Sequence, residues 1–315
     1  MDLAFGSHHW PRWGREQAFE YISKQRDMYR FMHDQTVRLM NSGYTSTEIS
    51  NMLDLPPSLR QEFYNRDYYG TVSHNVRAVY NFYLGYFDAV PANLNPLAPA
   101  VRAEKYVALA GGADGVMAKA QTAFDMGEYR WVAELLNHLV FADPDNEAAK
   151  NLLADAYEQM GYQAESGPWR NFYLTGAQEL RRGILKPERV RTVSPDLIAS
   201  VPTFMFLDFM GVRFDPEDAD DLKVKINLDF TDTDEQFVLS LENSVLNNIQ
   251  GKQDLEANAS LRLTRALFNR VALGETNFAK EIVLGNVKFS GNPLALTRVF
   301  GRLQEFDPWF NIVTP

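Results

Sequence analysis

The sequence predicts a multidomain chain: an all-α, tetratricopeptide-like (TPR-like) half followed by a small α+β half. Three observations predict it. Apolar residues recur at three-and-four spacing up to about residue 183, a 34-residue echo lies inside that stretch, and apolar positions alternate with mostly polar ones from Leu222 onward. At 315 residues the chain exceeds one ordinary compact domain, and its 45% hydrophobic and 23% charged residues provide for real cores.

From Arg15 to Met40 the residues Ala18, Ile22, Tyr29, Met32 and Leu39 form an apolar stripe, interrupted by Gln25 and Thr36, that predicts one long helix. Gly43 fits its stop. Thr45 and Glu48 have the spacing of a capping box, opening a short helix that Pro56-Pro57 is expected to end. Residues 68–75 are aromatic and turn-rich, Val76 to Phe87 is dense in Tyr and Phe, and the prolines at 91, 96 and 99 predict an ordered loop. Ala120, Met126 and Gly127 recur as Ala154, Met160 and Gly161, one TPR period later. Between them Asp143 is the expected cap of the next helix, with Pro144 in its first position. Pro187 and Pro195 bound a linker. Beyond it Leu222, Val224, Ile226, Leu228 and Phe230 read as a half-buried strand, as do Phe237–Leu241 and Leu261–Leu263, before helical spacing returns at 293–306. Strands followed by helices predict an α+β domain with an antiparallel sheet.

Several functions are excluded or starved of residues. A net charge of -10 opposes nucleic-acid binding, which needs clustered Lys and Arg. No run approaches the roughly 18 apolar residues of a membrane span, and no export signal is recognisable at the start. Cys 0 removes thiolate chemistry and Cys-zinc sites. Gly111–Gly115 lacks the spacing and Lys of a phosphate loop and reads as a helix break. The five histidines are therefore the main candidates. His8 and His9 stand side by side before Trp10-Pro11, and residue type leaves both metal ligation and ordinary packing open to them. His33 and His138 lie within helical patterns and read as solvated or packing residues. His74 sits in a Ser-His-Asn turn, where a structural and a catalytic role are both open.

The order Ser-His-His-Trp-Pro-Arg-Trp-Gly (7–14), Lys-Gln-Arg-Asp (24–27), His-Asp-Gln-Thr (33–36), Tyr-Gly-Thr-Val-Ser-His-Asn (69–75), Ala-Asn-Leu-Asn-Pro-Leu (92–97), Leu-Asn-His-Leu-Val-Phe-Ala-Asp-Pro (136–144) and Glu-Ser-Gly-Pro-Trp-Arg-Asn-Phe-Tyr-Leu (165–174) strongly resembles the alkyl sulfatases of the metallo-β-lactamase superfamily. The resemblance is specific over residues 7–180. The remainder is similar, on weaker motifs, to the sterol-carrier-like domain that closes those proteins.

The resemblance implies the tail of a hydrolase domain over 1–14, an all-α dimerisation domain over 15–183, a linker over 184–194 and a sterol-carrier-like α+β domain over 195–315. It also implies cleavage of alkyl sulfates to alcohol and sulfate at a dinuclear zinc (Zn2+) centre. His8 matches the late histidine of that centre, with His9 as the alternative. His74 and Asn75 match a motif that reaches the active site from the helical domain, with Arg77 placed to assist with sulfate. The family's His-x-His-x-Asp-His ligand run belongs upstream of everything here, since only Met1 to Gly6 precede the matched segment. The expectation is therefore the C-terminal portion of an alkyl sulfatase, inactive and poor in zinc by itself. Its expected partners are a second copy in a homodimer, an alkyl sulfate or long-chain aliphatic ligand, and a separate hydrolase domain. The alternative is a stand-alone, non-catalytic lipid-binding and interaction module.

Overall fold

The computed structural model describes residues 1–186 and 194–315, so most of the expected linker lies outside the described residues. Two compact units result: Met1–Leu185 with Phe310–Pro315, and Lys186–Trp309.

The first unit opens with the two-residue strands β1 (Leu3–Ala4) and β2 (Arg12–Trp13), paired antiparallel ahead of α1 (Arg15–Met40). The helix spans the expected residues, but its buried face is rotated from the expected stripe. Ala18, Tyr21, Met28, Met32, Thr36 and Leu39 face inward, whereas Ile22 and Tyr29 are exposed. The two polar interruptions explain the difference, because both find partners on the inner side. Gln25 Nε2 donates to the Tyr64 carbonyl at 2.7 Å and to Asn65 Oδ1 at 2.8 Å, and Thr36 Oγ1 donates to the Met32 carbonyl at 2.6 Å. A satisfied polar group can occupy a buried face.

The capping box forms as expected: α2 (Ser46–Met52) opens with Thr45 Oγ1 accepting from Glu48 N, while the Glu48 carboxylate accepts from Thr45 N. The prolines do not end it. Leu53 is already extended, and Pro57 instead starts α3 (Pro57–Arg60), where its missing N–H costs nothing. A 3₁₀ turn at Phe63–Asn65 leads through residues 66–71 into α4 (Val72–Leu84).

Five helices follow: α5 (Pro99–Leu109), α6 (Gly112–Asp125), α7 (Tyr129–Ala142), α8 (Glu147–Gln163) and α9 (Gly167–Arg182). Val132, Leu136, Leu139 and Val140 of α7 pack with Ala120 of α6 and Leu153 of α8 in their common core. The two copies of the echo do different work. Gly127 turns the chain after α6 at φ 78°, whereas Gly161 lies inside α8, where a Cβ would come within 2.9 Å of Leu174 on α9. The expected cap is also displaced: Asp143 ends α7, and Asn146 caps α8 by accepting from Ala149 N at 3.0 Å. The Asp143-Pro144-Asp145 segment is used as a turn, with Asn146 N donating to the Asp143 carbonyl at 3.2 Å.

The second unit begins with α10 (Pro195–Ser200) and α11 (Thr203–Arg213), followed by β3 (Val224–Phe230), β4 (Glu235–Glu242), β5 (Val245–Gln250) and β6 (Ala259–Leu263). Then come α12 (Arg265–Ala272), α13 (Phe278–Val283), β7 (Lys288–Gly291) and α14 (Pro293–Phe300). The sheet order is β5-β4-β3-β6-β7. It is mixed rather than antiparallel, because β6 runs parallel to β3 with Leu228 opposite Leu261. The cause is the eight-residue connection after β5, which crosses to the other side of β3 before β6 starts. It is pinned on the way: Asp254 N donates to Asn227 Oδ1 at 2.9 Å, and Gln253 Nε2 donates to the Leu228 carbonyl at 3.1 Å. Aromatic rings fill the space over the sheet, with Phe268 edge-on to Phe206 and Phe230, and Phe278 4.9 Å from Phe300.

Candidate functional site

The sequence candidates converge on one short irregular segment of the first unit, residues 66–71. His8 is exposed and stacks flat on Tyr69, with ring centroids 3.6 Å apart at 10°. His9 turns the other way. It is half-buried, edge-on to Phe63 at 5.8 Å and tilted over Tyr68 at 6.1 Å. Burial, and then the neighbouring His8, push its pKa below the ordinary imidazole value.

The segment leads directly into α4. Thr71 caps it by accepting from the His74 backbone N–H at 2.9 Å, which places His74 in the first turn. The His74 ring is exposed and makes a T-shaped contact with Trp169, 6.5 Å away on the first turn of α9. Asn75 packs beside Gly70, where a Cβ would lie 3.4 Å from its Nδ2. Arg77, three residues on from His74 and so on the same helical face, is exposed while its Nε donates to Ser50 Oγ at 3.0 Å. The structure thus groups His8, His74 and Asn75 around residues 66–71, with Arg77 one turn further along. The other two histidines stay apart: His33 lies between Asp34 Oδ1 at 2.8 Å and the Tyr83 hydroxyl at 2.7 Å, and His138 stacks on Tyr106.

The segment is held from α9. Ser166 Oγ donates to the Tyr69 carbonyl at 2.6 Å, Gly167 N donates to the Tyr68 carbonyl at 3.0 Å, and the Glu165 carboxylate pairs with Arg66. Within the segment Asp67 Oδ1 accepts from Val72 N at 3.1 Å. Burial raises the Asp67 pKa against the pull of that hydrogen bond. Sequence reasoning by residue type passed over Tyr69, Ser166 and Trp169. The signal was there for Ser166: a serine two residues before Pro168 is a helix-start pattern.

Zinc centres take three or four protein ligands. Among the described residues no group of three His, Asp or Glu side chains could hold a metal ion. The described residues do not by themselves fit a zinc centre.

A helical unit with a small, clamped aromatic-histidine corner is joined to an α+β unit with a mixed sheet. The alkyl sulfatase dimerisation family matches residues 45–183, and the alkyl sulfatase C-terminal family matches residues 191–315. The chain belongs to the alkyl sulfatase family. Over all of its length it is 47% identical to a linear primary-alkylsulfatase of Pseudomonas sp. and 46% identical to the alkyl/aryl-sulfatase BDS1 of Saccharomyces cerevisiae, covering 47% and 48% of those proteins. The solved stereoselective inverting sec-alkylsulfatase Pisa1 of Pseudomonas sp. superposes with a TM-score of 0.93 at 39% identity, over 100% of this chain and 49% of that one. The chain spans about half the length of the relatives it matches, and it corresponds to their C-terminal part. No helix among the described residues is long and apolar enough to cross a membrane.

Proposed function

We propose that this chain works as the C-terminal portion of a zinc-dependent alkyl sulfate ester hydrolase of the metallo-β-lactamase type. In this reading it brings two copies together, presents one wall of the active site and holds the aliphatic chain. The observation that carries the reading is that His8 and His74 both meet one clamped segment, His8 through Tyr69 and His74 through the Thr71 cap. His74, exposed in the first turn of α4, is the group that protonates the leaving alkoxide. Arg77 on the same face and the Asn75 amide engage the sulfate, a guanidinium being well matched to an anionic ester. Zinc enters as the ion of a hydrolase domain, to which this chain contributes His8.

The test is reconstitution. Dodecyl sulfate is incubated with this chain, with a separately produced hydrolase domain of the family, and with both, and released sulfate is measured. Release is expected only from the pair, and His74→Gln is expected to lower it about 10²- to 10⁴-fold. A bound, folded pair that releases nothing, or a His74→Gln pair with full turnover, overturns the assignment.

The sterol-carrier-like reading of the α+β unit makes it the holder of the alkyl chain. Half-buried Phe278, Ile282, Leu296 and Phe300 border its core beside exposed Val283, Leu284 and Leu294. Calorimetry of the whole chain with dodecanol is expected to show micromolar binding and a negative heat-capacity change. The second reading, a stand-alone interaction module, draws on two adjoining clefts of about 390 and 550 Å³ that share Glu128 and Trp131. A chain that never associates with a hydrolase domain favours it.

A further inference from the structure

We propose that Ser166 is a positioning residue whose hydroxyl fixes residues 66–71 to α9 and thereby sets where the His8 and His74 rings stand relative to one another. The inference rests on reading those histidines as site groups and deepens it by naming what holds them.

Residues 66–71 belong to no helix or strand, so their place depends on individual bonds. The carbonyls of Tyr68 and Tyr69 both turn onto the start of α9, where the first N–H groups of a helix lack partners within it. Ser166 is 2% exposed, and its hydroxyl makes two bonds there. It donates its one proton to the Tyr69 carbonyl and accepts from Trp169 N at 3.3 Å. Each of those residues presents a ring to one histidine: Tyr69 stacks on His8, and Trp169 meets His74 in a T-shaped contact. One oxygen, 97 residues along the chain from its acceptor, therefore ties both ring contacts together. Gly167 N and the Arg66–Glu165 pair hold neighbouring atoms of the same segment. Neither of those touches both residues that carry the ring contacts. Without the hydroxyl, Tyr69 loses its anchor and α9 loses its cap in the same step.

The experiment reads the rings directly, by carbon–proton NMR of the histidine side chains on the whole chain, with His8→Gln and His74→Gln supplying the assignments. A histidine stacked at 3.6 Å on a tyrosine lies in the shielding region of that ring, so the His8 signal is expected upfield of an exposed histidine. In Ser166→Ala that displacement is expected to collapse and the His74 signal to shift, while Ser166→Thr, which keeps the hydroxyl, restores both. If alanine prevents folding, near-isosteric Ser166→Cys, a weak donor, is expected to give the same collapse. An unchanged His8 signal in a folded Ser166→Ala or Ser166→Cys chain overturns the proposal. The signal needs no turnover, so its failure is distinct from failure of the hydrolase reading, which the reconstituted His74→Gln enzyme decides.

Discussion

His9 shows how a residue can be conspicuous in the sequence and still be assigned its physics only by its neighbours. Its ring is wedged between Phe63 and Tyr68, and burial followed by the adjacent His8 lowers its pKa. The unfolded chain then binds the proton more readily than the folded one. Stability is at its full value above the unfolded pKa near 6.5 and declines as pH falls through that value toward the folded pKa. The urea midpoint is therefore expected to be lower at pH 5.5 than at pH 7.5, and the gap to narrow in His9→Gln. His138, also lowered by burial and then by Arg102, retains part of the slope. An identical gap in wild type and His9→Gln would rule this out. The pair His8-His9 was legible as unusual. That the two rings part, one flat on Tyr69 and one in a T-shaped contact with Phe63, was not, because both partner rings lie far along the chain.

Helix starts are decided locally, yet two nearby candidates can compete. The sequence offered Asp143 with Pro144 behind it, and the chain instead caps α8 with Asn146. Asn146→Ala is expected to cost about 1 kcal/mol and Asp143→Ala markedly less, measured by urea denaturation. Equal costs would restore the sequence reading. The Thr45–Glu48 box, by contrast, formed as written, its two reciprocal bonds fixing Thr45 as the cap. Faces are less local than caps. On α1 the buried face departs from the apolar stripe because bonds to Tyr64, Asn65 and Met32 let Gln25 and Thr36 join the inner side. What this rotation leaves outside is a second apolar face with Phe19, Ile22 and Tyr29 exposed.

At the scale of the whole molecule, that outer face and the aromatic end of α4 ask for a partner. Phe82 is 80% exposed and Tyr86 91%, with Tyr83 and Leu84 between them also exposed, and apolar groups left out together mark interfaces. The dimerisation family match agrees with this. Light scattering of the chain is expected to give twice the monomer mass, and the Phe82→Asp/Tyr86→Asp double variant the monomer mass. A wild-type monomer at high micromolar concentration would remove the homodimer.

The C-terminal tail is a second whole-molecule device. Phe310–Pro315 belongs to the helical unit, with the Glu179 carboxylate accepting from the Ile312 and Val313 N–H groups at 2.8 and 3.2 Å and Val313 packed over Gly176. Removing residues 310–315 is expected to lower the stability of that unit by about 1–3 kcal/mol. An unshifted unfolding transition would show the tail to be dispensable.

By itself the sequence determined the things that depend on nearest neighbours along the chain: the extent of α1, the capping box, the glycine break at 111–112, where φ is 95° and 81°, and the alternation of β3. Its ordered motifs also carried the family, because they spell out surfaces that many distant residues must meet. Only the tertiary structure decided the parallel pairing of β3 with β6, the docking of the tail on α9 and the meeting of His8, Tyr69, Ser166, Trp169 and His74. The reason is the same in each case. A hydrogen bond or ring contact between residues tens of positions apart leaves no periodic mark on either segment, and it exists only once packing has fixed both ends.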